Sequence, residues 1–428
     1  MKANLRQSST VLDQTKNVSL HLSRGMLFLL FNLVVIGLFI YFLPPAALLW
    51  FFGLLFGFVL QRSRFCFAAA FRDIFIIGNT ALTRAVIVGL IVGTLGFLLL
   101  EALTPTTELI VNMGKVRPFG LYTVVGSTLF GFGMVVAGGC ATGMLMRMGE
   151  GYLMQWVAMA GFLAGSAAGA WHLGWWMTRF QNGSFELFLP QVFGWPVAIA
   201  AQLLLLAAMF FAALVLERGW GAAWGSLRDF YKTSFARTEV AMSPKTSLYQ
   251  VVFKKPWPYI IGATLLAVLN TMLFFSSGAP WGVTSGITYF SGWLSSLMGI
   301  SVEQWYFFQN ILILEGGEGE YVFTGEKTIN FFGIPMLYHF IAIIAGSLLS
   351  SLLAGEFRLR KWKSGRFVIS ALIGGFCMGY GARLALGCNI GSFFSAIPSF
   401  SLHGWIFVVF TLLGAYVGGK VLLKYLVV

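Results

Sequence analysis

The hydrophobic positions of this chain fall in long unbroken runs, not in alternating or amphipathic patterns. Apolar segments cover roughly residues 26–43, 45–60, 82–104, 119–140, 153–177, 192–216, 258–276, 281–299, 330–354, 367–388 and 404–427. Many reach the roughly 18 residues that a helix needs to cross a bilayer. The pattern predicts an all-α polytopic membrane protein with about 10–12 transmembrane helices. Segments 45–60, 119–140 and 367–388 are each followed by apolar stretches too short to span. Such pieces persist at membrane depth where they are buried in protein or line a cavity. They predict short re-entrant half-helices at the centre of the fold.

Composition excludes the alternatives. Of 428 residues, 58% are apolar and 10% are charged, against about 25% charged in soluble domains. The mean hydropathy is +0.82. A soluble enzyme, a disordered chain and a fibrous chain are all ruled out. A net charge of +13 would suggest nucleic acid in a soluble protein. Here the positive-inside rule accounts for it. The implied partner is the lipid bilayer, and no nucleic acid is expected.

The loops sort by charge. Residues 217–255 hold seven Lys/Arg and three Asp/Glu, and residues 356–366 hold five basic and one acidic. Both read as cytoplasmic, as does the polar segment 1–25, with Lys2, Arg6, Lys16 and Arg24 against Asp13. The apolar run from Met26 to Leu43 is too long for a signal-peptide core and reads as a retained first helix. Residues 303–327 carry five glutamates against Lys327 and read as external.

The basic stretch divides the chain into a cytoplasmic segment 1–25, membrane block 26–216, linker 217–255 and membrane block 256–428. The two blocks share a pattern. Gly131, Gly133, Gly139, Cys140 and Gly143 recur as Gly379, Gly381, Gly387, Cys388 and Gly391, offset by 248 residues. One inserted residue later, Trp156, Gly165 and Gly169 match Trp405, Gly414 and Gly418. Small residues also recur in membrane helices simply because they let backbones approach. A cysteine, a tryptophan and several glycines in register point further, to two pseudo-symmetric repeats.

Three motifs could carry chemistry. The first runs from Gln61 to Asp73. On a helix at about 100° per residue, Arg62, Cys66, Ala69 and Asp73 share one narrow stripe, and Arg62 with Arg64 would attract or release anions at the cytoplasmic mouth. The alternative is a cytoplasmic helix end with snorkelling arginines. The second is Gly139-Cys140-Ala141-Thr142-Gly143, followed by Arg147 and Glu150. The third is Arg383 to Gly391, containing Gly387, Cys388 and Asn389. Both place a thiol at a glycine break within membrane depth. A broken helix exposes N–H groups and a positive dipole end, which suit an anion. Thr142 and Asn389 add hydrogen-bond donors. Arg383 is an intramembrane charge and so a functional candidate, although pairing with Asp73 or a carbonyl would also explain it. A neutral thiol donates a weak S–H bond, and conduction needs sites that admit and release. Cys377, His172 and His403 read as packing or interface residues. The cysteines form no CxxC pair and no zinc-type cluster, so no metal or cofactor is expected. No GxxxxGK[ST] loop is present, so direct ATP use is not expected.

On these residues, Arg62 to Asp73, Gly131 to Gly143 and Gly379 to His403, the chain resembles the YeeE/YedE family of bacterial sulfur-transport membrane proteins. The resemblance implies a pseudo-symmetric fold with an hourglass-shaped pathway in the inner membrane. It implies thiosulfate uptake past three cysteines, matched here by Cys66, Cys140 and Cys388. It also implies a small cytoplasmic sulfur carrier of the TusA type as a recipient. The second block carries extra sequence, including Trp281-Gly282-Val283-Thr284 and the acidic 303–327 region. That part is similar to the longer YedE-like branch, which is associated with selenium. The expected function is therefore transport of a sulfur- or selenium-containing anion, thiosulfate first, and not an enzymatic reaction. The rival is a membrane thiol oxidoreductase or persulfide-transfer protein that uses the cysteines covalently.

Overall fold

A computed structural model describes residues 23–104, 114–180, 185–218, 249–311, 323–324, 328–329, 331–362 and 364–427. The basic segment 1–22, most of the linker and most of the acidic 303–327 region lie outside the described residues. Among those described, ten helical segments are long and apolar enough to cross a membrane. The expected all-α polytopic membrane protein is what the chain forms. A two-residue ribbon pairing Phe323–Thr324 with Thr328–Ile329 is the exception to helix.

The first helix, α1 (Ser23–Phe42), is apolar on nearly every face and mostly exposed, as a lipid-facing helix must be. A Pro44-Pro45 pair then opens α2 (Pro44–Ser63), where proline's missing N–H costs nothing. Arg64 takes the left-handed conformation, φ +50°, and ends α2. Three residues later the chain restarts as the ten-residue α3 (Phe67–Ile76). The expected single stripe of Arg62, Cys66, Ala69 and Asp73 therefore does not form. The helix that would have aligned them is broken between the first and second of these residues.

Next come α4 (Ala81–Leu103) and α5 (Leu121–Val136). After α5, Gly138 turns with φ +77°, a conformation that favours glycine. The nine-residue α6 (Ala141–Gly149) follows. Then come the long α7 (Leu153–Phe180) and α8 (Trp195–Arg218). The remaining helices belong to the second block. Here α9 (Tyr259–Ser277) ends on the left-handed Gly278. Its successor α10 (Thr284–Leu297) has only 14 residues, about 21 Å of helix against a hydrocarbon core of about 30 Å. The run 281–299, read above with the spanning segments, is thus a half-helix. Next, α11 (Pro335–Ala354) and α12 (Gly365–Leu384) lead to a π-helical turn, Asn389–Ser395, and to α13 (Leu402–Leu422).

Helix pairing crosses between the blocks. α2 packs on α11 and α4 on α9; α5 packs on α13 and α7 on α12. Glycines set these approaches. A Cβ on Gly131 would overlap the Thr411 carbonyl oxygen, and one on Gly379 would overlap the Phe162 carbonyl oxygen. Likewise Gly414 abuts the Thr128 carbonyl and Gly165 the Phe376 carbonyl. The main core lies where the short elements meet, around Cys66, Cys140, Met134, Cys388 and Phe393. Trp281, in the break before α10, is fully buried and stacks on Phe56 at 3.8 Å between centroids. This piece of the extra sequence belongs to the core.

Candidate substrate pathway

The break after α2 builds an open vestibule. Its volume is about 390 Å³, and Cys66 is part of its lining. Four guanidinium groups, Arg64, Arg147, Arg358 and Arg360, face two carboxylates, Glu150 and Glu356. The balance is positive, as an anion-receiving mouth requires. Arg64 is exposed and its guanidinium is 3.6 Å from Glu356. Arg147 donates to the Gly138 carbonyl at 2.6 Å, tying the end of α6 to the turn at its start. Arg360 lies over the Tyr152 ring at 4.3 Å. Burial pushes the Glu150 carboxyl up from the usual carboxylate range, against the hydrogen bond from Gln61 and the attraction of Arg147, Arg64 and Arg360.

Arg62 is not free in this mouth. It is 1% exposed and donates to Gln61 Oε1 at 2.8 Å, Ser350 Oγ at 3.0 Å, Glu356 Oε2 at 2.8 Å and the Phe253 carbonyl. Gln61 closes the network by donating to Glu150 and Glu356 at 3.2 and 3.1 Å. Removing one member of a buried ion pair strands the other. Glu356→Ala is expected to cost about 3 kcal/mol, the low end of that range because Glu356 is partly exposed. Asp73→Ala is expected to cost under about 1 kcal/mol, because Asp73 pairs at 2.7 Å with a partly exposed Arg72. Thermal unfolding in detergent would separate the two. Equal losses would contradict the buried network.

The thiols sit at the starts of short elements. Cys66 precedes α3, and its carbonyl accepts from Ala69 N and Ala70 N at 3.1 and 3.2 Å. Cys140 caps α6: Gly143 N–H donates to its sulfur at 3.4 Å, and Thr142 Oγ1 lies 3.4 Å away. Gly139, just before it, donates its N–H to the Met134 carbonyl at 2.9 Å. A Cβ on Gly143 would lie 2.8 Å from Cys66 Sγ and 3.5 Å from Cys140 Sγ. The two thiols therefore border one small volume that glycine keeps clear.

Cys388 caps the π-helical turn and accepts from Ile390 N at 3.5 Å. The turn is prepared by Leu386 at φ +53° and Gly387 at φ +159°. At Gly387 a Cβ would overlap Ser392 Oγ. Asn389 donates to Met134 Sδ at 3.3 Å, and its buried amide oxygen has no hydrogen-bond partner. Gly391 is buried, yet a Cβ there would meet nothing within 4 Å. Open space thus lies beside Gly391, three residues after Cys388. Met134 links the two turns, since it contacts Asn389 and binds Gly139.

The remaining residues separate. Arg383 is buried with its guanidinium 5.1 Å from the Phe307 ring centroid and its Cβ side packed near Gly169. Asp73 pairs with Arg72, not Arg383. His403 Nε2 lies 3.1 Å from the Ala385 carbonyl and braces that turn. His172 Nδ1 lies 2.5 Å from Tyr380 Oη. Cys377 is half-buried on α12. No role was assigned to Glu356, Gln61 or Met134 from the sequence, although Gln61 opens the first motif and Glu356 is the one acid in a basic loop.

Comparison with known proteins places the chain among sulfur-transport proteins. The chain is 29% identical over 382 residues to the thiosulfate transporter TsuA of Spirochaeta thermophila, covering 87% of this chain and 97% of that protein. It is 28% identical over 367 residues to thiosulfate transporter TsuA of Escherichia coli, covering 85% and 91%. The probable transporter YedE of Escherichia coli is 35% identical over 170 residues, 40% of this chain and 38% of that protein. The sulphur-transport family matches residues 62–417, a span that includes Cys66, Cys140 and Cys388, and the chain belongs to that family.

Proposed function

We propose that this protein transports a sulfur-containing anion, thiosulfate first, past Cys66, Cys140 and Cys388. The observation that carries the reading is an electropositive vestibule lined in part by Cys66, with Cys140 and Cys66 together at Gly143 and each buried thiol at the start of a short element. Arg64 and its neighbours gather the anion, while Arg62 acts indirectly by fixing Glu356. The cleared volume at Gly143 lets Cys66 pass it to Cys140. Backbone N–H groups beside Gly139 and Gly387, with Thr142 and Asn389, replace lost hydration. Arg383 sets the field beyond Cys388, and Asp73, paired with Arg72 within α3, adds a carboxylate beside the path. The names of the relatives support the same substrate class.

The reading places the chain in a bacterial inner membrane with its N-terminus and the vestibule cytoplasmic. A TusA-like sulfur carrier is then the recipient at that mouth. A related selenium anion is the alternative cargo, since sulfur and selenium anions are both soft. The blocks 26–216 and 256–428 are repeats. In support, the overlap of Gly131 with Thr411 has its counterpart, at the same offsets, in Gly379 with Phe162.

Uptake of labelled thiosulfate into proteoliposomes, with sulfate and selenite as competitors, tests the reading. Absence of thiosulfate uptake by folded protein would sink it. Arg358→Glu with Arg360→Glu is expected to slow uptake several-fold at low salt, the difference shrinking at high salt as charges are screened. A salt-independent defect would argue against electrostatic gathering. The nearness of Cys66 and Cys140 favours one second reading, covalent thiol chemistry. A disulfide or persulfide mass shift during turnover would select it.

A further inference from the structure

We infer that Gln155 contacts the substrate, its side-chain amide binding the anion as it passes the Gly139–Cys140 turn. The inference rests on the transport reading above and extends it to a residue outside every motif. Gln155 lies in the first turn of α7 and is 5% exposed. Its amide oxygen is buried and accepts no hydrogen bond. That oxygen stands 3.6 Å from the point a Cβ on Gly139 would occupy, as does the Met144 backbone nitrogen. The amide is therefore aimed at the turn that precedes Cys140.

Buried polar atoms are hydrogen-bonded in the great majority of cases. An orphan at a break in the membrane core calls for a partner that comes and goes. The two ends of an amide have nearly the same shape, and their assignment follows from the surrounding hydrogen bonds. A half-turn of the terminal bond places the NH2 group where the oxygen now lies. Its two N–H donors complement a thiosulfate oxygen, next to the Cys140 thiol. The passing anion supplies the missing partner, and the empty state carries the unsatisfied group. A neutral amide holds an anion without the grip of a fixed cation, so release remains possible.

The test compares thiosulfate uptake by wild type, Gln155→Leu and Gln155→Glu in proteoliposomes, with thermal unfolding of each. Gln155→Leu is expected to raise KM about tenfold, the factor for one hydrogen bond to a charged group. Its Tm should be unchanged or higher, because an orphaned polar group has gone. Gln155→Glu should raise KM further by adding like charge. A Gln155→Leu protein with wild-type KM, or one whose Tm falls while KM stays constant, would overturn the assignment and leave a packing role. Failure of wild type itself to take up thiosulfate would overturn the transport reading and this inference together.

Discussion

Cys140→Ala is expected to lower thiosulfate uptake by about tenfold to a hundredfold, the loss of one hydrogen bond to an anion. Three features converge on this thiol. It is 1% exposed, it stands at the start of α6 where N–H groups are free to meet an anion, and it shares the volume cleared by Gly143 with Cys66. Alanine also removes an acceptor for the Gly143 N–H, so a cap is lost, at about 1 kcal/mol. Cys140→Ser separates the two effects, because a hydroxyl both caps and donates. If serine restores folding but not uptake, the pathway requires a soft, weakly held sulfur contact. Undiminished uptake by the Cys66, Cys140 and Cys388 triple alanine variant would end the thiol pathway as an idea.

The second large effect is on stability. Gly165→Ala and Gly414→Ala are each expected to cost about 1–3 kcal/mol. In both, the new Cβ would overlap a backbone carbonyl oxygen on the facing helix, Phe376 for Gly165 and Thr128 for Gly414. Backbone atoms have no rotamer by which to move aside, so α7 must part from α12, and α13 from α5. Gly37→Ala is the control: a Cβ there meets nothing within 4 Å, and a helix gains slightly from alanine. Unfolding temperatures that fall equally for the two core variants, and not for the control, would support the repeat. A large loss at one site beside none at the other would contradict it.

The sequence was informative wherever one residue's chemistry was enough. Leu, Ile, Val and Phe in runs of membrane length specify helices, because a bilayer admits no unsatisfied backbone. The glycine–cysteine pairs marked the breaks at Gly139 and Gly387 because glycine ends helices locally. The break after Ser63 carried no glycine, so Arg62 to Asp73 read as one helix. Its cause is Arg64 in the left-handed conformation, supported by its partner Glu356, some 290 residues away.

Membrane class, helix number, the glycine–cysteine turns and the three candidate thiols were thus determined by the sequence itself, since each follows from local hydropathy or local backbone freedom. Tertiary structure alone decided that Arg62 is locked by Gln61, Ser350 and Glu356, that Cys66 and Cys140 share one cleared volume, and that Gln155 points a partnerless amide oxygen at the turn before Cys140. Those facts depend on which helices cross, and crossing is set by close packing between residues hundreds of positions apart, which no local pattern encodes.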